Sequence, residues 1–386
     1  MNRADLLAEG QNPLTYCTNV HPARDLAEAE QVYRTLSSPI LRRSLGEGDL
    51  LLGAWWPQDL VRDFTGDPAR LADHGDLCAE LGLRPASLNL FPMGRFHAAK
   101  GTPSVKEAVY QPDWASEERL SYTLDASRSL ATLGQKLGMP RGIMSTLPLG
   151  FRGRDRAARP EDAHRHNILR VALVLAQIED QYGVHLELAI EPEPWCLLES
   201  VSETLTWLDD ELAALAARQA CESVVRRHIG VCLDLCHAAV MGEDAVQAHQ
   251  TIEQRGWRVS KVQLSSALRA RGPEGLAQLI ARDEPVYLHQ CRRAGASPRH
   301  FVDLSDAALQ DLRLEGEDEV YSHFHVPLHD PGTEPLTTTQ DLLLEYLAFV
   351  REGGLRPGTP MEVETYTNPA IEQELHYVVR QLLAEE

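Results

Sequence analysis

The chain has 386 residues, with 57 acidic side chains against 37 basic ones and a formal net charge of −20. Hydrophobic residues make up 43% and charged residues 24%, a globular mixture that excludes a disordered chain. So acidic a protein is repelled by nucleic acid and by anionic membrane surfaces, and no run reaches the roughly 18–20 apolar residues of a spanning helix.

Short β-prone runs recur along the chain at 14–20, 50–56, 86–91, 142–147, 185–190, 229–235, 259–264, 320–326 and 361–365. Stretches of helical period separate them. Asp25 with Glu28 reads as an N-terminal capping pair, followed by Leu26, Ala29, Val32, Tyr33 and Leu36 on one side. Ile168, Val171, Leu175, Ile178 and Tyr182 are spaced three and four apart, as a helix packing on a sheet requires. Leu342, Tyr346, Leu347 and Val350 repeat that spacing, as do Ile371, Leu375, Val378 and Leu382. Alternation of this kind predicts βαβ units and a parallel sheet.

No Gly-rich dinucleotide fingerprint follows the first strand, and no linker-like boundary divides the chain. The expectation is a closed (β/α)8 TIM barrel forming a single domain over 1–386. Two stretches, 93–115 and 269–321, are too long for simple connections and read as insertions on βα loops. The run 320–326 is surplus to an eight-stranded barrel and is expected to pair with 286–290 as a hairpin inside the second insertion. The first ten residues have no apolar signal core, and seven cysteines without repeated pair spacing fit reduced thiols, so a cytoplasmic location is expected.

Polar residues sit where these strands end. The fifth strand runs into Glu191-Pro-Glu193-Pro, the sixth into Asp234-Leu-Cys-His237, and the seventh into Gln263-Leu-Ser265-Ser266. A late segment reads His323-Phe-His325, the last strand carries Glu362-Val-Glu364, and His21 closes the first strand. In a barrel these ends converge on one mouth. Glu191, Glu364 and Asp234 with one or two imidazoles make a site for Mn²⁺, Zn²⁺, Co²⁺ or Mg²⁺, and donor type alone does not choose among them. Strand alternation puts Glu362 and Glu364 on one face, and likewise His323 and His325, so the later member of each pair is preferred as nearer the mouth. Glu191 and Glu364 are the expected acid–base pair. His21, Asn89, His97, His237, His323 and Arg152 are the expected substrate contacts.

Blander readings stand beside these. A lone His289 in an apolar run reads as a satisfied core residue, and Cys232 and Cys236 read as small core residues rather than zinc ligands. Arg152, Arg154, Arg156 and Arg159 read first as a solvated loop and second as a phosphate or carboxylate clamp. Asn89, Phe91 and the Gly94-Arg95-Phe96-His97 stretch read as a lid carrying Lys100 and Lys106.

The order Glu191, Asp234-x-x-His237, a polar residue on the next strand and Glu364 on the last resembles the xylose-isomerase-like barrel superfamily of sugar isomerases and epimerases, inosose dehydratases and the endonuclease four type of repair enzyme. The resemblance implies a metal on Glu, Asp, His and Glu of four strands; here the third position holds Gln263, a weaker neutral oxygen donor. His323-x-His325 resembles the Asp-x-His pair of the endonuclease pattern, which implies His325 as a further ligand. The strings Leu14-Thr-Tyr-Cys-Thr-Asn-Val-His21, Leu88-Asn-Leu-Phe-Pro-Met-Gly94, Val105-Lys-Glu-x-Val-Tyr110-x-Pro-Asp-Trp114 and Val363-Glu-Thr-Tyr-Thr367 are similar to the Ebo-type metabolite-traffic proteins, specifically EboE. One departure from that pattern is Asn368, where an aromatic residue is usual. This resemblance implies a small polyhydroxylated or cyclitol-like metabolite and partner proteins of the same secondary-metabolite pathway; the acidic charge and the lack of a long apolar run lead us to expect no nucleic acid and no insertion into a membrane. The expected activity is that of a metal-dependent sugar or cyclitol isomerase or epimerase. A non-catalytic metabolite carrier is the alternative, and an abasic-site phosphodiesterase is disfavoured by charge.

Overall fold

The computed structural model describes residues 1–8, 10–23, 25–94, 105–295, 297–365, 368 and 370–384. Eight strands run parallel: β1 (Leu14–Tyr16), β2 (Leu50–Trp55), β3 (Leu83–Asn89), β4 (Arg141–Thr146), β5 (His185–Ile190), β6 (Ile229–Asp234), β7 (Val259–Leu264) and, last in the chain, β14 (Met361–Val363). They pair in the order β1-β14-β7-β6-β5-β4-β3-β2. A parallel bridge between Cys17 and Gly53 brings the first and second strands together, so the sheet closes into a (β/α)8 barrel. Every residue of β2, β6 and β7 is buried, as parallel strands covered by helices outside and side chains inside must be.

Gly53 lies at the closure for a steric reason. A Cβ there would meet the Tyr16 carbonyl oxygen at 2.5 Å and the Glu362 carboxylate besides, so a side chain would push β1 and β14 away. Helices of 21 residues, Glu117–Leu137 and Asp162–Tyr182, each end on a glycine in the left-handed conformation, Gly138 at φ 68° and Gly183 at φ 67°. Ile168, Val171, Leu175 and Ile178 are buried against the barrel, and Asp25 accepts a hydrogen bond from Glu28 N at 2.9 Å as the cap of helix Leu26–Val32.

Between β7 and β14 the chain builds a second, antiparallel sheet. Its strands are β8 (Leu268–Arg271), β9 (Cys291–Arg293), β10 (Arg299–Phe301), β11 (Glu319–Ser322), β12 (Gly332–Thr333) and β13 (Leu336–Thr338), in the order β10-β9-β11-β8-β13-β12. A separate apolar cluster, including Leu268, Leu279, Phe301, Leu309, Val320 and Leu336, packs it. The insertion therefore runs past the expected end at 321. The expected partner of the surplus strand also differs: β11 pairs with β8 and β9, and 286–290 meets the expected strand only past the end of β11, where His323 N donates to Gln290 O. The reason is local. The Glu284 carboxylate accepts from the Val286 and Tyr287 amides at 2.8 and 2.6 Å and holds that stretch in a turn. Beyond Ser322 the ladder makes one more in-register bond, His323 N to Gln290 O, and then ends, with Val326 N turning to Ser266 O.

Candidate functional site

The carboxyl ends of the strands open on a cleft of about 650 Å³. Its floor carries Glu191, Glu364 and the imidazoles of His237, His323 and His325; its upper wall is apolar, with Phe91, Val109 and Leu288. The two inserted regions meet above it. The amides of Val105 and Lys106 donate to the Val286 carbonyl at 3.2 and 3.1 Å, and the Lys106 ammonium pairs with buried Asp303.

Each carboxylate is placed by its strand. Asp234 ends β6 and caps the short helix Leu235–Met241; its Oδ1 accepts from His237 N at 2.8 Å and from Ser265 Oγ at 2.9 Å. Glu364 follows β14, and its Oε1 accepts from the side-chain amides of Asn19 at 2.9 Å and Asn89 at 3.0 Å. Glu191 follows β5. Ligand oxygens of Glu191, Asp234 and Glu364 all lie within 4.8 Å of one another. Glu191 Oε2, Asp234 Oδ2 and both polar atoms of the Gln263 side chain are buried with no hydrogen-bond partner among the described residues. Gln263 sits in register with Asp234 on one side and Glu362 on the other.

Three clustered carboxylates with unsatisfied buried oxygens are costly unless protons or a cation join them. Burial, followed by the charges of Glu364 and Asp234, pushes the Glu191 carboxyl well above the usual range. Burial raises Glu364 to about 7 against the pull of His325, and Asp234 adds to the rise. The orphaned oxygens and the Gln263 amide thus fit a divalent cation. Glu191, Asp234, Glu364 and Gln263 would hold it, and when bound it supplies positive charge to substrate oxygens.

The two strand-14 carboxylates occupy different depths. Glu362 lies deeper in the barrel, where Oε1 meets Lys261 Nζ at 2.9 Å and Oε2 accepts from Ser87 Oγ at 2.8 Å. Glu364 is the one at the mouth. His323 and His325 both reach the mouth, the first lying 3.1 Å from His237 Nε2 and from His325 Nε2. Burial lowers His237 to about 4, and burial with the neighbouring imidazoles holds His323 well below its usual range.

Other expected contacts go elsewhere. Arg152 is not brought to the cleft; its guanidinium ties the Cys196 and Leu197 carbonyls to Glu199 and Glu203. Arg154 pairs with Glu107 and Arg156 with Glu199, so these cations are spent on loop carboxylates rather than arrayed as an anion clamp. His21 turns onto the Tyr16 hydroxyl at 3.0 Å, and Asn19, two residues earlier, reaches Glu364 in its place. His97 lies outside the described residues, as do Arg95, Phe96 and Lys100 of the expected lid. His289 is satisfied, with Nδ1 on the His323 carbonyl at 2.8 Å and its ring stacked on Phe324.

Sequence reasoning missed Asn19, Glu193, Tyr110 and Lys261. The Tyr110 hydroxyl donates to Glu193 Oε1 at 2.6 Å, and burial raises that carboxyl to about 7. Glu193 had a visible signal in its Glu-Pro-Glu string; Lys261, alone inside an apolar strand, had one only as a charge where none is expected.

No family model matches the chain, and no curated protein matches it. Among solved structures it is similar to a xylose isomerase domain protein from Planctomyces limnophilus, at 13% identity and TM-score 0.46, covering 86% of this chain and 87% of that one. It is also similar to the IolI protein with a bound zinc atom (12%, TM-score 0.47, 96% and 98%) and to a D-tagatose 3-epimerase-like protein (10%, TM-score 0.47, 96% and 97%). No helix is long and apolar enough to cross a membrane among the described residues.

Proposed function

We propose that this protein is a metal-dependent isomerase or epimerase of EboE type, acting in the cytoplasm on a small sugar- or cyclitol-like metabolite beside other proteins of a secondary-metabolite pathway. The observation that carries the reading is the set of three buried carboxylates, Glu191, Asp234 and Glu364, gathered within 4.8 Å at the barrel mouth with oxygens left unsatisfied. A polyhydroxylated substrate suits such a floor, because adjacent hydroxyl or carbonyl oxygens can share the cation while the apolar wall excludes water. Glu191 and Glu364 are the acid–base pair of this reading, one taking a proton from carbon and the other returning one to the substrate. Asn19 and Asn89 orient Glu364 for that step.

The test is metal analysis of the untreated protein, followed by solvent deuterium incorporation into a panel of ketoses, aldoses and inososes. Divalent metal together with exchange into at least one member, lost in Glu191→Gln, is the expected result. Absence of metal and of exchange overturns the reading. Gln263 in the third position supports a second reading, a carrier that binds the metabolite without turning it over; tight binding with the metabolite unchanged after long incubation would select it.

A further inference from the structure

A second cluster of donors lies at the opposite end of the barrel from the cleft, where the strands begin. Glu179 stands in the last turn of the helix Asp162–Tyr182, His185 opens β5, and His228 closes the helix Glu222–His228 that leads into β6. One ligand atom from each lies within 4.8 Å of the others. Glu179 Oε2 is the apex, 3.2 Å from His185 Nδ1 and 3.5 Å from His228 Nε2.

The far nitrogen of each ring fixes where its proton sits. His228 Nδ1 lies 2.7 Å from the Leu186 carbonyl, which only accepts, so Nδ1 carries the proton and the Nε2 lone pair faces Glu179. Burial holds His228 below its usual range, so near neutrality no second proton fills that gap. His185 Nε2 lies 3.0 Å from Glu187 Oε1, which is both the closer and the more deeply buried of its two carboxylate partners. With its proton directed there, His185 Nδ1 also turns a lone pair onto Glu179 Oε2. Two imidazole lone pairs and a carboxylate oxygen then converge on one point.

Donors on a tetrahedral zinc, each at ~2.05 Å, stand ~3.3 Å apart, close to the spacings found here. The outer partners are those of ligating groups as well: a carboxylate on His185, a backbone carbonyl on His228, and the Arg227 Nε–H donating to Glu179 Oε2 at 2.8 Å. We propose that Glu179, His185 and His228 form a zinc site at the base of the barrel, its fourth position open to a water from the adjoining cleft of about 720 Å³ that His185 and Arg227 line. Two imidazoles and one carboxylate suit Zn²⁺, whereas Mg²⁺ takes oxygens. The guanidiniums of Arg227, Arg141 and Arg258 are paired with Glu179 and Glu187, and each carboxylate oxygen keeps a lone pair beyond the one such a bond uses. The ion would tie two helices to β5 and so add to stability. None of this depends on the isomerase reading, because no residue of the cleft at the mouth takes part.

The experiment gives chelator-treated full-length protein Zn²⁺ and counts bound ions by plasma mass spectrometry after buffer exchange. Glu179→Gln and His228→Gln should each hold one zinc fewer per chain than wild type. Arg227→Met, which removes the ion pair but no donor, should keep the wild-type count. The difference between variants is read rather than the total, so the result is independent of any ion at the mouth. Zinc should also raise the thermal midpoint of wild type further than that of Glu179→Gln. A reading that needs no substitution comes from wild-type crystals given stoichiometric zinc and measured on either side of the zinc absorption edge. An anomalous peak bonded to Glu179 Oε2, His185 Nδ1 and His228 Nε2 is expected. Equal zinc counts in wild type and Glu179→Gln, or no anomalous peak at these three atoms, overturns the proposal and leaves the cluster as a proton-bridged ion pair.

Discussion

Lys261 Nζ and Glu362 Oε1 lie 2.9 Å apart inside the barrel, with both side chains fully excluded from water. Ser145 and Ser87 extend the pair on either side, so the layer beneath the site is a satisfied ionic network rather than an apolar plug. Breaking one half strands the other charge in low dielectric. Lys261→Met should cost about 3–5 kcal/mol in chemical denaturation, whereas the double variant Lys261→Met with Glu362→Gln should recover most of that loss. Equal stability of the single and double variants would show that the network is not coupled.

Glu364 is oriented by two amide donors, Asn19 and Asn89. Asn89→Ala removes one, together with the side-chain acceptor of the Phe91 amide. Divalent-ion affinity measured by calorimetry should fall by about tenfold or more, with thermal stability changed little. Unchanged affinity would mean that Glu364 needs no such orientation.

Gly53 stands where β1, β2 and β14 approach one another. Gly53→Ala should destabilise the fold by more than ~2 kcal/mol, since the new methyl would collide with the Tyr16 backbone carbonyl as well as with the Glu362 carboxylate, which Ser87 and Lys261 hold in place. A wild-type midpoint in urea would contradict this close approach.

At the opposite end of the barrel, Glu187 is held at about 2: burial raises its pKa, and His185, Ser260, Arg141 and Arg258 more than reverse that. Because the folded value lies below the unfolded one, ionised Glu187 stabilises the protein above about pH 4.5 and the contribution fades as pH falls toward 2. Glu187→Gln should therefore be less stable than wild type by about 2–4 kcal/mol at pH 7. The gap should narrow progressively below pH 4.5 in denaturation series; a gap independent of pH would assign the loss to packing.

Much of the architecture was legible before any coordinates. Buried parallel strands carry continuous apolar runs, so all eight barrel strands stood out, and Glu191, Asp234 and Glu364 were conspicuous as charges ending those runs. The second sheet was less legible, because strands of two to four residues such as β9 and β12 leave no periodicity to read.

Sequence alone determined the alternation of strand and helix, the acidic balance, and which carboxylates stand at strand ends, because local patterning and composition are one-dimensional properties. Tertiary structure decided the rest. It placed Glu362 against Lys261 and Glu364 at the mouth, sent Arg152 to loop carbonyls, and turned His323 and His325 toward His237. Those outcomes depend on barrel depth, on closure, and on which carbonyl meets each imidazole, and such relations exist only once distant segments share one space.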